Sequence, residues 1–379
     1  MSTINLLLRL FVFAAGFLLV AVTLSTAIKT YVLPRSANTL LSRLVFRSVF
    51  ALFRLRLKRV NTYEQRDHIM AMFAPTALLA TPVVWLIFIL LGYTAMYWAT
   101  GIQPLKQAFI LSGSSLFTLG FATDAAWGRL ALIYSEATLG LGLVALLLAY
   151  LPTMYAAFST RERSVAMLEV RAGSPPSAVE LLSRAHRLNS SAMLDPLFAE
   201  WEIWFANLEE SHTSLAALVF FRSPQSDRSW VTASGAILDS AALYLALLQP
   251  ESTRQAALCI RAGYIALRRV ADFFQIAYDA DPKPDDPVSI SREEFNLAYN
   301  TLAAAGLPIV ADRDQAWRNF NGWRVNYDTV LVALAALTMA PYAPWSSDRS
   351  VLSMHLPPSE WERLKVMVRR MGDKKEGAA

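Results

Sequence analysis

The chain has 379 residues, of which 55% are hydrophobic and 17% charged, and its mean hydropathy is positive. That balance excludes an ordinary soluble protein, which is less apolar, and a chain embedded in a membrane throughout, which carries fewer charges; it predicts a membrane part joined to one soluble domain. A net charge of +5 does not call for nucleic acid, because much of the basic excess sits beside the apolar segments, where the positive-inside rule places it. The single cysteine, Cys259, excludes an intrachain disulfide and any multi-cysteine metal site.

The first apolar run covers about residues 4–28, and about twenty apolar residues suffice to cross hydrocarbon. Its length, and the lack of a small-x-small cleavage site before Lys29, favour an uncleaved transmembrane helix over a signal peptide. From Lys29 to Arg66 the chain turns basic, with Arg35, Arg43, Arg47, Arg54, Arg56, Lys58 and Arg59. The apolar stretch 44–53 lies within this region, and crossing there would cost roughly 2.5 kcal/mol or more for each central arginine. An amphipathic helix in the headgroup plane, on the cytoplasmic side, is therefore expected, with the N-terminus outside.

A second span is predicted over 72–100, with Pro75 and Pro82 inside it and Tyr93, Tyr97 and Trp98 as an aromatic belt near its far end. Pro104 is placed to start a short helix over 105–117. At 1.5 Å per residue that helix is roughly 20 Å long, enough to enter a membrane but not to cross it. Ser112 to Ala122 then forms a small-residue stretch, followed by Asp124 to Gly128 at the outer surface and a long apolar helix over 130–158. Span, short helix, glycine-containing turn and span together read as a pore loop, since backbone without helical hydrogen bonds survives at membrane depth only inside protein or facing water. The last helix is roughly 45 Å long, so its end, near Arg161 and Arg163, projects into the cytosol.

The expected fold class is all-α. Residues 1–71 form an N-terminal transmembrane helix with a basic interfacial segment, 72–160 a pore module, and 161–379 a cytosolic helical domain. In that last part, Gly173-Ser174-Pro175-Pro176 closes one helix and leads into the next. Further helices are expected near 192–208, 230–248 and 254–278, from Ser291, where Ser291 and Glu294 make a capping box, and over 312–339 with a break near Asn321-Gly322. The 230–248 segment is apolar but short and contains Asp239, so it is expected as a core helix rather than a span.

The sequence from the second span through Thr118-Leu119-Gly120-Phe121-Ala122 to Trp127-Gly128-Arg129 resembles the bacterial two-transmembrane, pore-loop potassium channel family. That family has the filter pattern Thr-Val-Gly-Tyr-Gly, and some members open the inner helix with Trp-Gly-Arg. The similarity covers about 72–158. It implies a homotetramer in an inner membrane that conducts a monovalent cation, expected to be potassium, with oxygens of Thr118, Leu119, Gly120 and Phe121 replacing the ion's water shell. Two departures stand out. Ala122 occupies the place of the second glycine, and Thr123 that of an aspartate, with Asp124 one position later. They leave open a weakly selective or sodium-conducting channel. From a different class, a membrane-tethered sensor or scaffold with a vestigial pore also fits.

Glu136, Gly140, Leu143, Leu147 and Leu151 fall on one helical face by three- and four-residue spacing, and alignment from Trp127 makes this the face that lines the family's cavity. Two roles for Glu136 stay open: concentrating cations below the filter, or bracing the pore helix through Ser115 or Thr118. Gly140 and Gly142 would let the helix bend, Pro152 removes one backbone hydrogen bond, and Leu147 with Leu151 would form a constriction that gates by dewetting. His68, His186, His212 and His355 are dispersed, and no phosphate-binding loop, dinucleotide fingerprint or nucleophile elbow occurs. No enzyme activity and no cofactor are expected. The partners expected are monovalent cations, the lipid bilayer and three further copies of the chain, with no nucleic acid.

Overall fold

The computed structural model describes residues 3–32, 40–57, 60, 62–189, 193–248 and 254–349; Arg35, Lys58, Arg59 and His355 lie outside them. The regular secondary structure among the described residues is helical, with no strand. In chain order the helices are α1 Thr3–Tyr31, α2 Leu40–Leu57, α3 Tyr63–Ala71, α4 Phe73–Ala99, α5 Leu105–Leu116, α6 Trp127–Ala172, α7 Ala178–Arg187, α8 Leu194–Ser214, α9 Trp230–Leu247, α10 Arg254–Phe273, α11 Arg292–Ala304, α12 Arg313–Arg324 and α13 Asp328–Thr338. The chain divides into two compact units. One is Met1–Ala157 with Ser214–Phe221; the other is Phe158–Thr213 with Arg222–Ala379.

In the N-terminal unit the most extensive packing is that of α1 on α4. It depends on two glycines: a Cβ on Gly16 would lie 2.5 Å from the Gly92 carbonyl oxygen, and one on Gly92 would lie 2.6 Å from the Val20 side chain. Small residues let two helix backbones approach where no hydrophobic force drives helices together, as between spans in lipid. Hydroxyls in these helices are satisfied locally. Thr23, Thr26, Thr81 and Thr94 each donate to the carbonyl four residues earlier. Trp85, Ile89, Tyr93, Met96 and Tyr97 of α4 pack with Val20 and Ala27 of α1 and with Ala108, Leu111 and Leu116 of α5. α2 lies where an amphipathic helix was expected. Its Phe46, Phe50 and Phe53 close edge-on around Phe73, and Phe220 of the returning segment packs on the same ring. Nothing local in the sequence announced that return.

Four helical stretches are long and apolar enough to cross a membrane: α1, the α3–α4 stretch Tyr63–Ala99, α6 and α9. The chain is a membrane protein on this ground. The apolar windows of α1 and α6 are each only 17% buried, whereas that of α9 is 89% buried. In the C-terminal unit α9 is the core, packed by α7, α10, α12 and α13. Within it Asp239 accepts from Arg324 at 2.5 Å and from Tyr327 at 2.8 Å, all fully buried, and Arg324 Nε donates to Asp328 at 2.7 Å.

α6 has 46 residues, roughly 70 Å at the helical rise, and so extends well beyond the predicted end at Phe158. No breaker follows Pro152 until Gly173, whose φ of 81° ends the helix in the left-handed region. The predicted break at Asn321-Gly322 is displaced to Val325–Tyr327. Asn321 keeps its helical backbone because its amide is engaged elsewhere, donating to the Pro284 and Asp286 carbonyls at 2.7 and 3.0 Å. The Ser291–Glu294 capping box is present with both of its reciprocal bonds.

Candidate pore site

α5 has twelve residues, roughly 18 Å, and packs chiefly against α4. It buries Ala108, Leu111, Ser112, Ser114, Ser115 and Leu116, an unusually hydroxyl-rich inner face. Its C-terminus is closed by a double turn: Thr118 N–H donates to the Ser115 carbonyl at 3.0 Å, and Leu119 N–H to that of Ser114 at 2.8 Å. This is the Schellman arrangement, which puts the residue after the cap in the left-handed region, usually a glycine. Here that residue is Thr118, with φ 54°. A β-branched side chain there costs about 1–2 kcal/mol, so the surrounding contacts hold strain at this point of the backbone.

Gly120, at φ 75°, is the next left-handed residue, while Leu119, Phe121 and Ala122 do not have positive φ. The positive φ of Thr118 and Gly120, without one at Leu119 between them, makes this a run of alternating backbone hand. Ala122 escapes the left-handed strain that a glycine-for-alanine position would impose. It is clamped instead: Ser114 Oγ accepts from the Ala122 N–H at 3.0 Å and donates to the Ala122 carbonyl at 3.1 Å. The loop is thus tied at both ends to the last turn of α5. Beyond it, Asp124 accepts from the Ala126 N–H at 2.8 Å and from Arg129 at 2.5 Å, which together hold its carboxyl below the usual range, the backbone bond first. Phe117, Leu119 and Phe121 are exposed, and Trp127 is 88% exposed.

The face of α6 expected to line a cavity does not do so at its upper end. Glu136 is 0% exposed, accepting from Ser112 Oγ at 2.5 Å and from Tyr97 OH at 2.9 Å. It braces α5, but through Ser112 and α4 rather than Ser115 or Thr118. Gly140 and Leu143 are buried as well; a Cβ on Gly140 would lie 2.2 Å from the Leu116 carbonyl oxygen, so α6 meets the end of α5 backbone to backbone. Leu147 is half-buried, and Leu151 and Pro152 are exposed. The exposed line runs instead through Tyr134, Leu141, Leu148 and Tyr155, with Val144 and Leu151 between them. Its seven-residue spacing could have been read from the sequence. What identifies Glu136's own face as the inner one is the bulk of α5.

Three arginines of the C-terminal unit have structural partners. Arg222 donates to the Thr338 and Met339 carbonyls, Arg268 to those of Asn326 and Ala280, and Arg269 pairs with Glu209. His212 is buried against Trp230 and the Arg161 guanidinium, 3.2 Å from its Nε2. The cavity beside Glu169, Gly173 and Arg228 has a volume of about 10 Å³, room for about one water. No protein-family model, no curated protein and no solved structure matches this chain.

Proposed function

We propose that the chain is one of four identical subunits of a monovalent-cation channel in an inner membrane, with potassium as the favoured ion. The observation that carries this reading is the loop Thr118–Ala122. It is backbone of alternating hand, fixed at both ends to a helix too short to cross a bilayer, and it stands between two helices long enough to do so. One copy exposes this backbone and cannot surround an ion. Four copies about an axis give stacked rings of oxygens from Thr118, Leu119, Gly120 and Phe121, the arrangement that replaces a cation's hydration shell. The C-terminal end of α5 directs its negative dipole end at the same place. Four copies also bury Phe117, Leu119, Phe121 and Trp127, which a single chain leaves exposed.

Below the filter, the Tyr134, Leu141, Val144, Leu148, Leu151 and Tyr155 line supplies the axis-facing side of α6, with Leu148 and Leu151 as the apolar constriction. The C-terminal unit lies in the cytosol and serves assembly or gating. A weakly selective channel is the second reading, favoured by the Ser114–Ala122 clamp: it occupies the Ala122 carbonyl, so the ligand series ends at Phe121.

Ion flux from liposomes holding the purified chain tests this, with potassium compared with sodium. Potassium flux exceeding sodium flux is the expected result, and near-equal fluxes select the second reading. An intact tetramer that passes neither ion would leave a sensor or scaffold.

A further inference from the structure

The contacts behind the loop pose a question of proton count. Ser112 has one hydroxyl proton and two acceptors in reach, the Leu90 carbonyl at 3.0 Å and Glu136 Oε1 at 2.5 Å. Tyr97 directs its own proton to Glu136 Oε2 at 2.9 Å. If Glu136 carries a proton and donates it to Ser112, then Ser112 donates to Leu90 and every group is served. If Glu136 is ionised, Ser112 must serve one acceptor at the expense of the other. Among the described residues no cation offsets an ionised form. Around Glu136, α4 presents the phenols of Tyr93 and Tyr97, and α5 presents Ser112, its lysine Lys106 being exposed near the other end. On α6 itself the nearest basic residue, Arg129, is paired with Asp124. On α1, Arg9 lies beside Gly101.

We propose that Glu136, as a neutral carboxylic acid, is the positioning residue of the loop: it ties α5 to α4 and α6 directly behind Thr118–Ala122, and loss of its proton releases that tie. The proposal rests on the channel reading of the loop. Glu136 and Gly140, one turn apart on α6, hold both ends of the last turn of α5, the first through Ser112 and the second by contact with the Leu116 carbonyl. That same turn carries Ser114 and Ser115, which supply the cap at Thr118 and the clamp at Ala122. A carboxylate at Glu136 is a buried charge without a partner, and its relief is to separate α6 from α5 and admit water. The ring of oxygens loosens as α5 shifts. Discrimination between potassium and sodium is then a property of the protonated state.

The test uses the full chain in liposomes, wild type beside Glu136→Gln and Ser112→Ala, with potassium and sodium fluxes followed from mildly acidic to alkaline pH and infrared spectra of the same samples. Glutamine donates to Ser112 and accepts from Tyr97 as the neutral acid does, but it does not titrate. The wild-type flux ratio is expected to fall about tenfold on alkalinisation, the scale of a buried hydrogen bond lost. Glu136→Gln is expected to hold the acidic ratio at every pH, and Ser112→Ala to show the low ratio throughout. A protonated-carboxyl stretch present in wild type and missing from Glu136→Gln identifies the bridging acid. The same alkaline response in Glu136→Gln, or no such band in wild type, overturns the proposal. An intact band without flux at any pH overturns the channel reading, and the positioning role with it, while the protonated bridge survives.

Discussion

The most deeply buried carboxyls of the two units, Glu136 in one and Asp239 in the other, are accommodated in opposite ways. Asp239, in the C-terminal unit, is met by a guanidinium and a phenol, and the guanidinium is held in turn by Asp328 and the Trp345 carbonyl. Glu136, in the N-terminal unit, is met by two hydroxyls and, among the described residues, by no cation. A helical core enclosed by its own amphipathic neighbours can bury complementary charges, because those neighbours bring basic and acidic side chains from their polar faces. Helices with apolar outer faces bring few charges, so their interior polarity is limited to hydroxyls, backbone carbonyls and a group that can become neutral. α9 and α1 make the same point on the scale of whole helices. Both are apolar enough to span, but α9 is wrapped by protein and α1 is left bare.

Removing the charge partner in the C-terminal unit should have the largest effect. Arg324→Met leaves Asp239 and Asp328 buried without their cation, and breaking a buried pair in this way costs about 3–5 kcal/mol. Denaturant unfolding followed by the fluorescence of buried Trp201, Trp204 and Trp230 measures it. A loss no greater than that of Glu136→Gln would erase the contrast between the two carboxyls.

Next comes the close approach in the N-terminal unit. Gly140→Ala forces a methyl onto the Leu116 carbonyl, and overpacking of this kind costs about 1–3 kcal/mol. Thermal stability in detergent should fall, and with it the ion flux that the proposed channel predicts. Normal flux from this variant would mean that α6 does not support the end of α5.

His212 offers a smaller effect with a defined sign. Burial, and then the neighbouring Arg161 guanidinium, hold its imidazole well below the ordinary histidine range. The folded chain therefore stays unprotonated at a pH where the unfolded chain takes up a proton. Stability is full above the ordinary range and falls as pH drops through it, by at most about 1.4 kcal/mol per pH unit. His212→Gln should flatten that acid slope in the C-terminal unit, and an unaltered slope would assign it to other groups.

The smallest effect belongs to Gly142, two residues from Gly140. A Cβ there meets nothing within 4 Å in the chain, and alanine is favoured over glycine inside a helix by about 1 kcal/mol. Gly142→Ala should leave the chain unharmed or slightly more stable, and a marked loss in the assembled protein would place a second subunit against that face.

The sequence by itself determined where the helices lie and how several of them end. Hydropathy and length set α1, α4 and the start of α6; Ser291 with Glu294 set the start of α11; and Gly173 marked a helix end, because these signals act within a few residues of one another, whereas the unbroken run of α6 through 158 to that glycine was not legible. The short α5 and the glycine-containing loop behind it were legible for the same reason. Tertiary structure alone decided which face of α6 turns inward, that Ser112 rather than Ser115 or Thr118 receives Glu136, that Ser114 clamps Ala122, and that Ser214–Phe221 returns to pack on Phe73. Three- and four-residue spacing groups Glu136, Gly140 and Leu143 on one face. Only the approach of the Leu116 carbonyl to Gly140 says what that face meets, because the partner comes from a part of the chain whose distance no local pattern encodes.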